Sequence, residues 1–453
     1  MSIDSLPPSL QAAMEQNLLY TQFQQSLRSI LMYRTIAQRV PFPIAAGETI
    51  TATRAGLKAA VPTPLNPTTN TNLDNGVTPS SYSIEQYSMT LNMYGDTQDI
   101  NLLTSQVAIA SIALQNAVVN GEQAARTMDT LARDNLYNAY IGGNTFVTAT
   151  LGSPGTTITV NDVRGFRTVL NSAGQVVPVS PTDPLTVLIN GVSYSLTGYT
   201  VDVTNTSNAR NITSGALSGY GVNGISGTLT FSTNVTVQDG TSGNSVIAGF
   251  APAILRPNAR ASTNGLVSGD ILTMSLLLDA RAILRNNAVG YVDGMYNVFL
   301  DNVSERQLFG DPEFQLLYRG RGLQDPVYRN ATIAEGLDMR FFKTTQAPQQ
   351  LKSGTSGIPI HRPIICGAEV LVEGTFAGQA EAIANLSGNG LIEVIDDVVQ
   401  VIRAPLDRFQ QIAAQSWYWT GGYAVPTDAT ANRSVIPTAS NAYLKRAVML
   451  ETA

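Results

Sequence analysis

A chain of 453 residues has room for two or three domains, and at 43% hydrophobic it is globular rather than disordered. Charged residues make up only 13%, about half the ~25% usual in soluble domains, which fits either a subunit that buries much of its surface against neighbours or a large β-rich domain with a neutral polar skin. A net charge of −6, with four lysines (Lys58, Lys343, Lys352, Lys445), argues against a dedicated nucleic-acid binder, which needs surplus cations to displace counterions from phosphates.

The first ten residues hold Asp4, Pro7 and Pro8 and no apolar stretch of signal-peptide type, and no apolar run approaches the length of a membrane-spanning helix. Residues 1–46 read as a mostly helical arm on the spacing of Met14, Leu18, Leu19, Phe23 and Leu27, ended by Pro41 and Pro43. Residues 47–99 read as a long β-hairpin. Its outgoing strand is Glu48 to Arg54, its return strand Tyr82 to Tyr94, and its tip carries Pro62, Pro64, Pro67, Gly76 and Pro79. So long a tip reaches for something, a neighbouring subunit being the expectation, unless it is a disordered surface loop.

Residues 100–141 are predicted as a spine helix that runs to 143 with its terminator Gly142-Gly143. One stripe is Leu103, Val107, Ala110, Leu114 and Val118. After a kink or break at Asn120-Gly121 it resumes with Ala124, Met128, Leu131, Ala132, Leu136 and Ala139. Glu122, Arg126, Asp129 and Arg133 fall on the opposite face.

Residues 144–262 contain no Lys and no Glu and are dense in Thr, Ser, Asn, Gly and Val. Short strands are predicted at Thr157–Val160, Leu185–Ile189, Tyr199–Val203, Thr228–Phe231 and Asn234–Val237, giving an inserted antiparallel β-sandwich or barrel. A helix follows at 268–285, with Ser268 as N-cap, Asp270 in the first turn, and Arg281 and Arg285 in the last. Strands then dominate: Tyr296–Leu300, Ile364–Val372, Leu391–Val401 and Gln415–Thr420. The fold class is α+β with an all-β insertion domain.

Few residues nominate chemistry. A G-x-G-x-x-G match at Gly219, Gly221 and Gly224 lacks the helix that would bind phosphate and is read as chance. The G-T-S-G runs at 240–243 and 354–357 are not a nucleophile elbow. The single histidine, His361, has no carboxylate beside it in the sequence, and with one Cys, Cys366, no zinc site of the usual ligands forms and no intrachain disulfide exists. Nothing here implies an oxidising compartment. Asp396-Asp397 are taken as neighbours on an extended segment, pointing to opposite faces. The N-x-S/T sequons at Asn205, Asn211, Asn234, Asn302 and Asn330 are expected by chance in so Asn- and Thr-rich a chain. Arg319-Gly320-Arg321-Gly322 reads as a loop turn with surface arginines. No catalytic, cofactor or metal site is expected.

The order of parts, with four local segments, resembles the Hong Kong 97-like fold of tailed-bacteriophage major capsid proteins, and the local sequence looks closest to their podophage N-four-type branch. The segments are Gly47-Glu-Thr-Ile50 opening the hairpin, Tyr87-Ser-Met-Thr-Leu-Asn-Met-Tyr-Gly95 closing it, Gly121-Glu-Gln-Ala-Ala-Arg-Thr-Met-Asp129 in the spine, and Ala404-Pro-Leu-Asp407 before Trp417-Tyr-Trp419. The last departs from the family pattern at Ala404 and Asp407. The resemblance spans about 1–143 and 263–453 and omits the insertion.

It implies an extended loop at 47–99 over a neighbouring subunit, a peripheral domain on the spine helix, and an axial domain within 263–453. The function implied is a self-assembling, non-enzymatic shell of hexamers and pentamers. They form the icosahedral head around double-stranded phage DNA, assembled in the bacterial host cytoplasm. The implied partners are copies of the chain, a portal and a cement or decoration protein. The arm begins almost at Met1, so a separate scaffolding protein is expected in place of a cleaved segment. Expected intersubunit contacts are Arg54, Leu57, Lys58, Val61 and Leu65 of the hairpin, and Arg126, Asp129 and Arg133 of the helix. Alternatives are an encapsulin-type nanocompartment, usually more compact, or a β-rich surface adhesin, which needs an export signal.

Overall fold

The computed structural model describes residues 18–28, 32–42, 49–58, 60–62, 64, 82, 84–101, 109–171, 175–205, 212–213, 216–217, 224–318, 335–352, 357–376, 392–403, 412–428, 436–440 and 442–453. Outside them lie Met1–Leu10, Met14, Gly47-Glu48, Leu65 with most of the hairpin tip, Leu103, Val107, Asn211, Gly219, Gly221, Arg319–Gly322, Asn330, residues 354–356 and Ala404–Asp407.

In chain order the main elements are α1 (Leu18–Arg28), β1 (Ala37–Phe42), β2 (Thr49–Ala55), β3 (Ile84–Thr90), β4 (Asn92–Asn101) and α2 (Ile109–Ile141). Then come β5 (Asn144–Phe146), β6 (Gly155–Val160), β7 (Leu185–Ile189), β8 (Val192–Val201), β9 (Gly227–Val235), β10 (Ser245–Ala248), α3 (Met274–Asn286), β11 (Tyr296–Leu300) and α4 (Asn302–Gly310). The last are β12 (Met339–Lys343), β13 (Ile364–Cys366), β14 (Leu371–Phe376), β15 (Ile392–Ile395), β16 (Val398–Arg403), β17 (Ile412–Ala424) and β18 (Ala447–Leu450). The chain is α+β, and its contacts form two compact units: 1–51, 88–133 and 371–424 in the first, and 52–87, 134–370 and 425–453 in the second.

In the first unit a six-stranded sheet runs β1–β14–β17–β16–β15, with β4 also paired to β17. Among its described residues the arm holds a strand as well as a helix. After α1 the chain turns through Tyr33–Ile36 into β1, parallel to β14 at the sheet edge, where Pro41 is tolerated because an edge strand needs no donor there. The predicted return strand is two strands, β3 and β4. β4 extends to Asn101 and pairs along β17 from Asn92↔Gly421 to Asn101↔Ile412, so the helix begins at Ile109 and not at 100.

α2 runs unbroken through Asn120-Gly121, and its 33 residues span roughly 50 Å. Before Asn120 its buried face is one residue off the predicted stripe, since Ala113 and Ala117 are buried and Leu114 and Val118 only half-buried; after it Ala124, Met128, Ala132 and Leu136 are buried as predicted, with Leu131 and Ala139 half-buried. Small side chains let the helix lie close to β17, where the Asn120 amide donates to the Gln415 carbonyl at 3.5 Å. The segment Leu391–Val401 is a hairpin, since Asp396 (φ 47°) and Asp397 (φ 71°) form a two-residue turn joining Ile395 to Val398. They are therefore not on an extended segment. Asp397 lies 3.4 Å from Arg39.

In the second unit α2 ends at Gly142-Gly143 as the glycines predicted, with Gly143 at φ 81° and its N–H donating to the Arg164 carbonyl at 2.7 Å. The following sheet runs β5–β10–β7–β8–β9–β6. Its ends meet: Asn161 N–H donates to the Phe146 carbonyl at 3.2 Å, Thr148 N–H to the Thr159 carbonyl at 3.0 Å, and Val147 bridges Val160. The insertion is thus a closed barrel, not sandwich-like, and closure removes the exposed edges an open sheet would carry. Val187, Leu196, Leu229 and Val246 fill its interior. Asn190-Gly191, both at positive φ, form the β7–β8 turn. The two strands expected at 228–231 and 234–237 are one, β9, with a register shift between Thr230 and Val235.

Beyond the barrel, Ile254–Leu255 pair with β18 in a second six-stranded sheet that continues through β13, β11 and β12 to Glu335–Gly336. α3 packs its Met274, Leu277, Ala280 and Leu284 into this sheet's core. Its cap is Thr273, which accepts from Leu276 N–H at 3.4 Å, and not Ser268. Asp270 is buried instead, accepting from Val267 N–H, Asn258 and Arg260 at 2.7 to 2.9 Å. The predicted strand Ile364–Val372 splits, β13 belonging to the second unit and β14 to the first, with Glu369 at φ 56° in the turn.

Candidate subunit-contact surfaces

Two surfaces carry the residues expected at subunit contacts, one in each unit. The hairpin stem of the second unit holds Arg54, Leu57, Lys58 and Val61. β2 has no buried residue, since each side chain is exposed or half-buried. Past it Leu57 is 58% and Val61 81% exposed, so the apolar side chains expected to reach a neighbour do face solvent in the single chain. Lys58 holds its ammonium 5.6 Å from the centroid of the Tyr82 ring, a cation–π contact worth roughly 0.5–1 kcal/mol at an exposed site. This contact ties the outgoing arm of the hairpin to the returning one.

Arg54 differs from expectation. Its Nη2 donates to Glu369 Oε2 at 3.0 Å, within its own chain. Glu369 also takes Arg446 at 3.1 Å, and Arg446 Nε donates to Asp428 at 3.0 Å. The alternating charges Arg54–Glu369–Arg446–Asp428 form a network that sequence reasoning missed, because its members come from three separate stretches of the chain.

The second surface is the outer face of α2 in the first unit. Val119, Glu122, Gln123, Arg126, Thr127 and Leu131 line a shallow depression of about 470 Å³. Arg126 is exposed and pairs with Glu122 one turn earlier at 3.8 Å, and Arg133 is half-buried. Asp129 does not belong to this face. It is 2% exposed, and its Oδ1 accepts from the backbone N–H groups of Met32, Tyr33 and Arg34 at 2.9, 2.7 and 3.3 Å. Burial pushes its carboxyl up, against the downward pull of those three donors. Asp129 therefore anchors the arm inside the subunit and cannot reach a neighbour. A carboxylate on a helix flank gives no sign in sequence that three distant N–H groups will converge on it.

Three of the sequence segments that carry the family resemblance meet at one place in the first unit. Trp417 Nε1 donates to Gln123 Oε1 at 3.2 Å, and Gln123 Nε2 donates to Asp96 at 2.6 Å. Tyr94 stacks on Trp419 with ring centroids 6.0 Å apart. At Gly95 a Cβ would lie 2.6 Å from the Trp417 carbonyl oxygen, so β4 and β17 approach this closely only with glycine there.

His361 has a carboxylate after all, from a distant segment: Nδ1 lies 2.5 Å from Asp301 Oδ2, both buried. Asp301 also caps α4 by accepting from Ser304 N–H at 3.2 Å. Burial alone would raise the Asp301 carboxyl, but His361 and Ser304 outweigh it and hold it low, as befits a buried structural contact. Among the described residues no cluster of three or more metal-capable side chains occurs, and no helix is long and apolar enough to cross a membrane.

No protein-family model and no curated protein matches the chain. Among solved structures it is similar to the capsid of Ralstonia phage GP4, at 10% identity and a TM-score of 0.49, covering 92% of this chain and 87% of that one. It is also similar to the cyanophage Pam1 capsid asymmetric unit (10% identity, TM-score 0.46, 95% and 92% covered). A third is the capsid of cyanophage P-SCSP1u (10% identity, TM-score 0.44, 93% and 88% covered).

Proposed function

We propose that this chain is the major capsid protein of a tailed bacteriophage, with the Hong Kong 97-like fold, a structural subunit and not an enzyme. The observation that carries the reading is the meeting of Tyr94, Gln123 and Trp417–Trp419. These come from three segments far apart in the chain, each selected on sequence for its likeness to that family. A chance likeness in short segments has no reason to converge on one contact. The exposed apolar hairpin stem and a charged fraction of only 13% add a physical reason for neighbours.

In this reading hexamers and pentamers close into an icosahedral head around double-stranded DNA, in a virion assembled in the bacterial cytoplasm. A separate scaffolding protein, a portal and a cement or decoration protein are its partners. Leu57, Lys58 and Val61, with Leu65 further along the tip, lie against a neighbouring copy, and Arg126 and Arg133 of the helix contribute further contacts between copies. The barrel is an independent outward-facing module. Size-exclusion chromatography with light scattering, followed by electron microscopy, tests the function. Capsomers or megadalton closed shells are expected, alone or with a scaffold. A chain that stays monomeric under every salt and scaffold condition overturns it.

A further inference from the structure

A cavity of about 250 Å³ lies within the second unit, bordered by Arg54, Val289, Glu369, Asp428, Lys445 and Arg446. Its two carboxylates are already used. Glu369 takes Arg54 and Arg446 at 3.0 and 3.1 Å, and Asp428 takes Arg446 at 3.0 Å. Two donors are left over. Arg54 Nη1 is buried with no hydrogen-bond partner among the described residues. Lys445 is 4% exposed and makes no ion pair or hydrogen bond among the described residues. Asp428 and Glu85 act on its ammonium only through the field, and burial pulls its pKa down against them. An ammonium held in so little water without an acceptor is costly and calls for an anion.

Among the described residues the remaining wall does not supply one. The end of α3 borders the cavity, but its last carbonyls are taken by backbone donors: Ile283 by Asn287, Arg285 by Ala288, and Leu284 by Val289, at 2.9 to 3.1 Å. The residues lining the cavity therefore carry one positive charge in excess, which the buried Glu85 outside the lining offsets only through the field, and two idle donors. At about 250 Å³ it is below the roughly 300–1,000 Å³ of pockets for drug-sized ligands and would hold about eight waters, so it suits a single small group and not a nucleotide.

We propose that this cavity binds one small oxyanion, accepting from Lys445 Nζ and Arg54 Nη1. Two sources deliver the same chemistry, a free phosphate-like ion or a carboxylate presented by a second copy of the chain. Calorimetric titration of the unassembled full-length chain with inorganic phosphate, in chloride at constant ionic strength, should show saturable binding of one ion per chain. Lys445→Met should weaken it at least tenfold. Arg54→Gln, on the partly exposed hairpin stem, should also weaken it and keeps the test open should the buried lysine variant fail to fold. Arg126→Gln, an exposed arginine in the other unit, should leave it unchanged. Absence of saturable binding, or binding undiminished in both cavity variants, overturns the proposal. If shells assemble, the same titration on them identifies the source: binding retained assigns a free ion, and binding lost assigns a neighbour's carboxylate. The titration of the unassembled chain does not depend on the proposed capsid function, so either can fail without the other.

Discussion

Glu451 shows how a buried charge is held in this protein. It is 1% exposed and accepts from Arg256 Nε at 2.7 Å, Arg362 Nε at 3.1 Å and Thr263 Oγ1 at 2.8 Å. Burial alone would raise its carboxyl; the two guanidinium groups and the hydroxyl outweigh it and bring it down to about 2. A depressed folded-state pKa contributes stability that is fully present above the ordinary value of 4.5 and is lost as pH falls through about 2. Acid unfolding followed by circular dichroism should therefore steepen between those two values. Glu451→Gln should flatten that slope and cost roughly 3–5 kcal/mol at neutral pH, because two arginines lose their shared counter-charge. A variant as stable as the parent at neutral pH, with an unchanged acid limb, would show that the network carries no net stability.

At the scale of elements, the junction between α2 and the barrel depends on a glycine that no helix or strand pattern distinguishes. Gly165 has φ 80°, and a Cβ there would lie 2.0 Å from the Gly143 nitrogen and 2.4 Å from the Gly142 carbonyl carbon. Both atoms are backbone, so neither rotates away. Gly165→Ala combines a left-handed backbone with this clash and should destabilise the fold by more than about 4 kcal/mol, measured by chaotrope unfolding. Gly152→Ala, where nothing lies within 4 Å of the added carbon, should change stability by no more than about 0.5 kcal/mol. Equal effects at the two sites would mean that the close approach at Gly165 relaxes freely.

At the scale of the whole molecule, the chain enters and leaves the barrel side by side, since Asn144 of β5 pairs with Ile247 of β10. Barrel residues such as Val147, Val187 and Val246 pack together in a core distinct from that of the α3 sheet. An inserted module with adjacent ends should be removable. Replacing 147–244 by a short Gly/Ser linker should leave a soluble chain that keeps its α2 helicity by circular dichroism. Loss of that helicity, or insolubility with no folded product, would show that the barrel is a necessary part of the second unit.

Sequence by itself determined the local features. Leu185–Ile189 and Tyr296–Leu300 were legible to the residue, because a mostly apolar run is bounded there by turn residues. Gly142-Gly143 stopped the helix for the same local reason. The tertiary structure decided whatever depends on distant partners. It chose Ala113 and Ala117 over Leu114 for the inner helix face because a close-lying strand favours small side chains. It buried Asp129 under three N–H groups some 95 residues away, divided 364–372 between two sheets, and closed the barrel through Val147 and Val160. It gathered Arg54, Glu369 and Lys445 around one cavity. Hydrophobic period and turn chemistry act within a few residues, whereas these contacts exist only once separate segments of the chain have packed.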